Sequence, residues 1–245
     1  MLFSLSRGRG PVGSPARSNA GPVALGLLAP VLPAAAHRLG LPRTISSPTG
    51  VALTFDDGPH PEGTPAVLEV LARQGAHAVF FLVGEQVERR PALAMEIAAA
   101  GHAVALHGYR HRLQLRMSAG EIAEDLRRGV AVISEAVGAA PVWHRPPYGI
   151  YSPSGLRMAR EAGLSPLLWS RWGKDWRKLT TPPRIAARAT RGLGHGDVIL
   201  LHDADFYSAR GSHRRTVDAL PLILAELTRL GVATVLPPGR SAGYP

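Results

Sequence analysis

Cysteine is absent from this chain of 245 residues. Its absence excludes disulfide bonds, thiolate nucleophiles and zinc sites built on sulfur. Any transition-metal site must therefore use imidazole nitrogen and carboxylate oxygen as ligands, and the chain contains ten histidines. Hydrophobic residues make up 45% of the sequence, which is ordinary for a globular protein with a buried core.

Acidic residues are missing from the first fifty positions, which contain five arginines. Half of the net charge of +10 therefore lies in this segment, and the rest of the chain is only mildly basic. Nucleic-acid-binding proteins usually concentrate basic residues in a stripe, often with aromatic residues for stacking, and the sequence has no such arrangement. We expect no nucleic-acid partner, and we interpret the charge as attraction to an anionic cell envelope or membrane surface.

A long hydrophobic run is also missing. The best candidate, residues 21–36, is interrupted by three prolines and is too short and broken for a typical membrane span. With the upstream arginines and the small-residue end Ala34-x-Ala36 it imitates a secretory signal, whereas the alternative is a membrane-proximal or core-packing extension. Both interpretations of the N-terminal segment 1–49 stay open, and residues 1–20 have a composition typical of disorder. We expect a location in the cell envelope or outside the cell rather than in the cytoplasm.

Short apolar runs alternate with segments of helical spacing from residue 51 onward. This alternation predicts a parallel α/β structure with about seven strands. The apolar runs are residues 51–55, 76–83, 102–106, 142–144, 165–169, 197–201 and 232–236.

Three helices have clear end signals. Thr64 is predicted to be the N-cap of a helix that ends before Gly75. Ser118 and Glu121 form a capping-box pattern that opens a long helix. A further helix is predicted from Arg215 to Leu230, with a glycine directly after it.

Ionisable residues collect after the carboxyl ends of five apolar runs. They are Asp56 with Asp57, His107, Arg145, Asp175, and His202 with Asp203. Open doubly wound sheets and closed barrels both fit the alternation, but in a barrel these ends converge on one mouth, where active sites are built. We therefore favour a barrel of about seven parallel strands, which is incomplete compared with an eight-stranded barrel.

Two adjacent carboxylates, Asp56 and Asp57, lie between a buried apolar run and a Gly-Pro turn. Like charges side by side repel each other unless one is neutralised. A bound cation would separate their tasks, since one carboxylate could be a ligand while its neighbour stays free as a base. A solvated turn rich in aspartate is the alternative for this motif by itself.

His107 and His111 are four residues apart, so both imidazoles can face the same ion. Together with Asp57 they form a set of two histidines and one carboxylate that leaves coordination positions open for water and substrate. We predict one divalent metal ion. Zinc suits these ligands best, and iron, cobalt, nickel and manganese stay open.

Five motifs occur in the order and spacing of the polysaccharide deacetylases, which form carbohydrate esterase family four with its NodB homology domain. They are Thr54–Pro59, His107–His111, Arg145–Gly149, Asp175–Trp176 and Leu200–Asp203. The chain resembles this family from residue 50 to about residue 237. The resemblance implies a distorted, TIM-like (β/α) barrel formed by residues 50–237 and followed by a C-terminal tail at 238–245. It also implies the metal-dependent removal of an N- or O-acetyl group from a sugar.

The resemblance also implies a role for each motif residue. Asp56 is similar to the catalytic base, Arg145 to the residue that braces it, and His202 to a general acid held by Asp175. Three residues resemble the substrate site, with the Tyr148 backbone N–H as oxyanion donor and the side chains of Trp176 and Leu200 as walls of the acetyl pocket. Asp57, His107 and His111 correspond to the metal ligands.

One departure from the family pattern is Gly108, where Ser or Thr often follows the first metal histidine. Loss of that hydroxyl affects the support of the metal site, while the ligands stay intact. An N-acetylated glycan such as peptidoglycan or a chitin-like oligosaccharide is the expected substrate. The alternatives are an O-acetyl esterase of the xylan type, an amidohydrolase for a small molecule, or a catalytically silent glycan-binding domain, since loops decide specificity on such scaffolds.

Overall fold

A computed structural model describes residues 21–238 of the chain. The composition-based prediction for residues 1–20, and the predicted tail after residue 238, lie outside the described residues. Among the described residues, no helix combines the length and the apolar character that crossing a membrane requires.

The described strands form one sheet in which every recorded pairing of neighbouring strands is parallel. Seven strands follow one another in the order β5-β4-β3-β2-β1-β7-β6, and β8 pairs with β1 outside this path. Their bounds are β1 Gly50–Asp56, β2 Val79–Leu82, β3 Ala103–Leu106, β4 Trp143–His144, β5 Ser165–Pro166, β6 Arg171–Trp172, β7 Val198–His202 and β8 Ala233–Thr234. The curled sheet with α-helices confirms the prediction of an incomplete, TIM-like barrel. The short strand β6 was not predicted as a separate strand.

Nine α-helices lie within residues 21–238, of which the first two precede β1 and the other seven connect the strands. Their bounds are α1 Pro22–Leu28, α2 Pro33–Arg38, α3 Gly63–Arg73, α4 Gly84–Arg89, α5 Pro91–Ala99, α6 Ala119–Val137, α7 Pro153–Glu161, α8 Pro182–Thr190 and α9 Ser212–Arg229. Short 3-10 turns follow β3 and β4 at Gln114–Arg116 and Pro147–Gly149.

The capping box is confirmed, because the Ser118 hydroxyl accepts from the Glu121 N–H and the Glu121 carboxylate accepts from the Ser118 N–H. The N-cap prediction for Thr64 is wrong, since α3 already begins at Gly63. The Thr64 hydroxyl instead accepts from the His60 N–H and donates to the buried carboxylate of Asp203. The Thr64 hydroxyl therefore contacts Asp203, which is distant in sequence, and does not cap the helix.

Strand β1 is buried along its whole length, which explains its mainly apolar character before Asp56. Its one polar residue in that stretch, Thr54, donates from its hydroxyl to the backbone oxygen of Ile199. In the parallel register Asp56 pairs with Phe81 of β2 on one side and with His202 of β7 on the other. The register therefore brings Asp56 and His202 next to each other at the carboxyl end of the sheet, although they are far apart in sequence.

Residues 21–49 pack against the barrel. Ala29, Ala36, Leu41 and Ile45 belong to the buried core. The Arg43 side chain donates a hydrogen bond of 2.7 Å from Nε to the backbone oxygen of Trp169. Within the described residues, this part of the N-terminal segment is a layer of the folded domain.

Candidate active site

Asp57, His107 and His111 meet at the carboxyl end of the sheet. Asp57 Oδ1 lies 3.4 Å from Nε2 of His107 and 3.3 Å from Nε2 of His111. One ligand atom from each residue lies within 4.8 Å of the other two. Asp57 has a φ of 81°, a left-handed conformation that side chains rarely adopt and that places its carboxylate in this cluster.

The side chains of this cluster fit a divalent cation. The Asp57 Oδ1 atom is buried and has no hydrogen-bond partner among the described residues. Burial on its own would raise the pKa of Asp57, but its interactions with His107 and His111 hold the pKa well below the usual range. His107 Nδ1 lies 2.8 Å from the backbone oxygen of Arg145, which can only accept, so Nδ1 carries the proton and Nε2 keeps its lone pair for a metal.

The loop that carries both histidines is held by Asp125 of α6. Its carboxylate accepts hydrogen bonds of 2.8 Å from the Tyr109 N–H and 3.0 Å from the Arg110 N–H. Gly108 has a φ of +81°, which favours glycine, and a Cβ there would lie 3.1 Å from Asp125 Oδ2. Asp125 therefore fixes the backbone of the loop between the two histidines.

Replacing Asp125 by alanine is expected to weaken metal binding by roughly 10-fold or more, since partners that orient a ligand commonly contribute that much. Competition with a chelator measures the affinity. The exposed Asp218 on α9, replaced by alanine, is the control. Equal metal affinity in the Asp125→Ala variant and the unchanged protein would contradict a supporting role.

Asp56 is the second carboxylate of the pair and interacts with Arg145. The fully buried guanidinium of Arg145 donates from Nη1 to Asp56 Oδ1 over 2.6 Å. Three further donors bond the backbone oxygens of Leu167 and Leu168 and the hydroxyl of Thr54. These four hydrogen bonds fix the guanidinium, and Asp56 Oδ2 faces the cluster, 3.8 Å from His107 Nε2.

His202 and Asp175 form a second functional pair. His202 Nδ1 lies 3.0 Å from Asp175 Oδ1, and its backbone N–H donates to Asp175 Oδ2 over 2.7 Å. The Thr216 hydroxyl on α9 also donates to Asp175 Oδ2. Burial alone would lower the pKa of His202, but Asp175 and the two nearby aspartates raise it to about 10. The interaction with Asp175 therefore favours the imidazolium form, which can donate a proton.

A single cavity of about 330 Å³ borders both the cluster of metal-ligand candidates and His202. It is lined by all three predicted metal ligands, by Asp56 and His202, and by the predicted substrate residues Tyr148, Trp176 and Leu200. Arg145 and Asp175 lie behind it, fully buried, where they contact Asp56 and His202. The structure thus brings together every site residue named from the sequence.

The family model described as polysaccharide deacetylase matches residues 45–167. A peptidoglycan-N-acetylglucosamine deacetylase of Bacillus cereus is 35% identical over 184 residues, which cover 74% of this chain and 83% of that protein. The chain belongs to the polysaccharide deacetylase family. A chitooligosaccharide deacetylase of Azorhizobium caulinodans is 33% identical over 202 residues, covering 78% of this chain and 94% of that protein. The crystal structure of a peptidoglycan N-acetylglucosamine deacetylase superimposes with a TM-score of 0.75 at 30% identity, covering 81% and 91% of the two chains.

Several residues of the deacetylase cavity were not predicted from the sequence. Tyr207 stacks on the ring of His111 with centroids 4.1 Å apart and planes 7° from parallel. Trp169 and Trp172 line the cavity beside Trp176. Aromatic residues close to the ends of β5 and β7 were a visible signal, but only tertiary contacts show which of them reach the site.

A second group of potential ligands in the deacetylase, His60, Asp205 and His213, is also mutually close. His60 Nδ1 accepts from two backbone N–H groups, and burial lowers the pKa of this histidine. The proton of the neutral ring therefore lies on Nε2, which faces Asp205 Oδ1 at 3.3 Å and has no lone pair for a cation. We interpret this cluster as support for the loop that carries Tyr207.

Proposed function

We propose that this polysaccharide deacetylase removes N-acetyl groups from an amino sugar of a glycan such as peptidoglycan or a chitin-like oligosaccharide. The proposal rests on one observation above all, which is that a braced carboxylate, a histidine paired with a buried aspartate and a cluster of three ligand atoms line the same cavity. The relatives named for peptidoglycan and chitooligosaccharide deacetylation support the substrate class.

Asp57, His107 and His111 are proposed to hold one divalent ion. When bound, such an ion polarises a carbonyl oxygen and lowers the pKa of water from 15.7 to about 7. Zinc is the proposed metal because two imidazoles and one carboxylate leave positions open, as in catalytic zinc sites, and cobalt, nickel, manganese and iron accept similar ligands.

Asp56 is proposed to accept the proton of the attacking water at Oδ2, while Arg145 holds Oδ1 and keeps the carboxylate ionised. The water oxygen bonds to the acetyl carbon and the C–N bond breaks. Protonated His202 gives its Nε2 proton to the departing nitrogen, with Asp175 holding Nδ1. The products are acetate and a free amino sugar. General acid–base help of this kind is worth about 10²- to 10⁴-fold.

Three further residues are proposed to bind the acetyl group. The Tyr148 backbone N–H is the proposed oxyanion donor, a contact that is worth roughly 3–4 kcal/mol in other hydrolases. The side chains of Trp176 and Leu200 line the cavity and are proposed to enclose the methyl group.

Acetate release from a panel of substrates tests this proposal. We expect release from N-acetylated chitooligosaccharides or peptidoglycan fragments after loading with zinc, cobalt or manganese. Acetylated xylan and a simple acetamide are the comparison substrates for esterase and small-molecule amidase activity. Glycan binding without acetate release in the metal-loaded protein would instead favour a catalytically silent binding domain.

We propose that the protein works in the cell envelope or outside the cell. The acid-free first fifty residues, with five arginines, support attraction to an anionic surface. Cell fractionation of a tagged full-length chain tests the location, and recovery only in the cytoplasmic fraction would contradict it.

A further inference from the structure

One wall of the catalytic cavity comes from the N-terminal segment, outside residues 45–167 that match the family model. Leu27 at the end of α1, and Pro30 and Val31 directly after it, line the cavity together with the catalytic residues. The side chains of Leu27 and Val31 are 48% and 58% exposed, so they border the open side of the cavity. We call these three residues the aliphatic wall.

The aliphatic wall is held in place by close packing. At Gly26 an added Cβ would lie only 2.3 Å from the backbone oxygen of Tyr151, so α1 approaches this backbone as only glycine allows. Ala29 lies between the wall residues and is fully buried in the core. This packing fixes the position of the aliphatic wall relative to the rest of the cavity.

The aliphatic wall has no side chain that could form hydrogen bonds with the hydroxyl groups of a sugar. Residues 21–36 contain no polar or charged side chain. A hydroxyl placed against such a surface loses its water without a hydrogen-bond partner, which is unfavourable. An aliphatic group placed there gains about 25 cal/mol for each Å² of apolar surface removed from water. Trp172 elsewhere in the cavity remains available to the sugar ring.

We propose that Leu27, Pro30 and Val31 bind an apolar aglycone, so that the enzyme prefers an N-acetylated amino sugar with an aliphatic substituent to the same sugar without one. The proposal rests on the proposed deacetylase function and narrows its substrate class to amphiphilic glycosides.

The test compares the octyl and methyl β-glycosides of N-acetylglucosamine, below the micelle concentration of the octyl compound, with the full-length metal-loaded chain. We expect kcat/KM to be about tenfold higher for the octyl glycoside, a factor that about two buried methylene groups supply. The gain should lie mainly in KM, because the aglycone contact is the same in the ground state and the transition state.

The double variant Leu27→Ser and Val31→Ser should reduce the octyl-to-methyl ratio to less than about threefold, since the apolar contact is lost. Leu28→Ser with Leu32→Ser is the matched control, because these leucines are 42% and 45% exposed in the same segment and do not line the cavity. The control should keep the full ratio.

Equal kcat/KM for the two glycosides in the unchanged enzyme would overturn the aglycone proposal. So would a full ratio in the wall variant, or an equal loss in the control. Absence of acetate release from both glycosides would instead contradict the deacetylase function. Binding followed by tryptophan fluorescence then decides the aglycone proposal, which tighter binding of the octyl glycoside supports and equal affinity overturns.

Discussion

Replacing Asp57 by asparagine is expected to remove metal and activity together. Asparagine has nearly the same shape and tolerates the left-handed φ of 81° at this position, so the backbone should be kept. The variant loses the negative charge that faces His107 and His111. A loss of about 4 kcal/mol of the charge stabilisation that a metal provides corresponds to roughly a thousandfold in kcat/KM.

Metal analysis after dialysis, together with acetate release, measures both effects in one preparation. Asp218→Asn on the exposed face of α9 is the control and should keep both properties. Partial recovery of activity with excess zinc would agree with weakened binding. Full activity of the Asp57→Asn variant after rigorous removal of metal would refute the assignment of Asp57 as a ligand.

Replacing the neighbouring Asp56 by asparagine is expected to separate the two properties. The metal content should stay near that of the unchanged protein, because Asp56 lies outside the three-residue ligand cluster. Turnover should fall by about 10²- to 10⁴-fold, because an amide cannot accept the proton of the attacking water. The contrast between two adjacent aspartates makes the pair of variants informative.

Stability must be measured alongside turnover in the Asp56→Asn variant. The change leaves the buried Arg145 charge without its carboxylate, and breaking a buried ion pair commonly costs about 3–5 kcal/mol. Thermal unfolding identifies the temperatures at which the variant is folded, and the assay belongs within that range. Unchanged kcat in the folded variant would exclude Asp56 as the base.

The strands and the chemical groups at their ends could be predicted because their signals are local. Apolar runs such as that of β1 indicate buried strands, and parallel strands share one edge at their carboxyl ends. The capping box of Ser118 and Glu121 is likewise complete within four residues. The helix α9 ends at Arg229, one residue before the predicted Leu230, which is its C-cap. Its start lies three residues earlier than predicted, at Ser212 rather than Arg215.

The wrong or missing predictions share a different cause. Thr64 resembles an N-cap locally, but its hydroxyl is bound to Asp203, which is distant in sequence. The two-residue strand β6 exists through its pairing with β7, which a run of two residues cannot indicate. Asp125 follows no strand and belongs to no motif, although it holds the loop of both predicted metal histidines.

Strand periodicity and motif spacing are properties of the chain alone, so they are enough to predict the residue types that carry the chemistry, their order and the parallel α/β architecture. The position of Tyr207 on His111 and the contribution of α1 to the cavity wall depend on the folded protein. These contacts join segments separated by many residues, and the close packing that selects them depends on the shape of both surfaces at once.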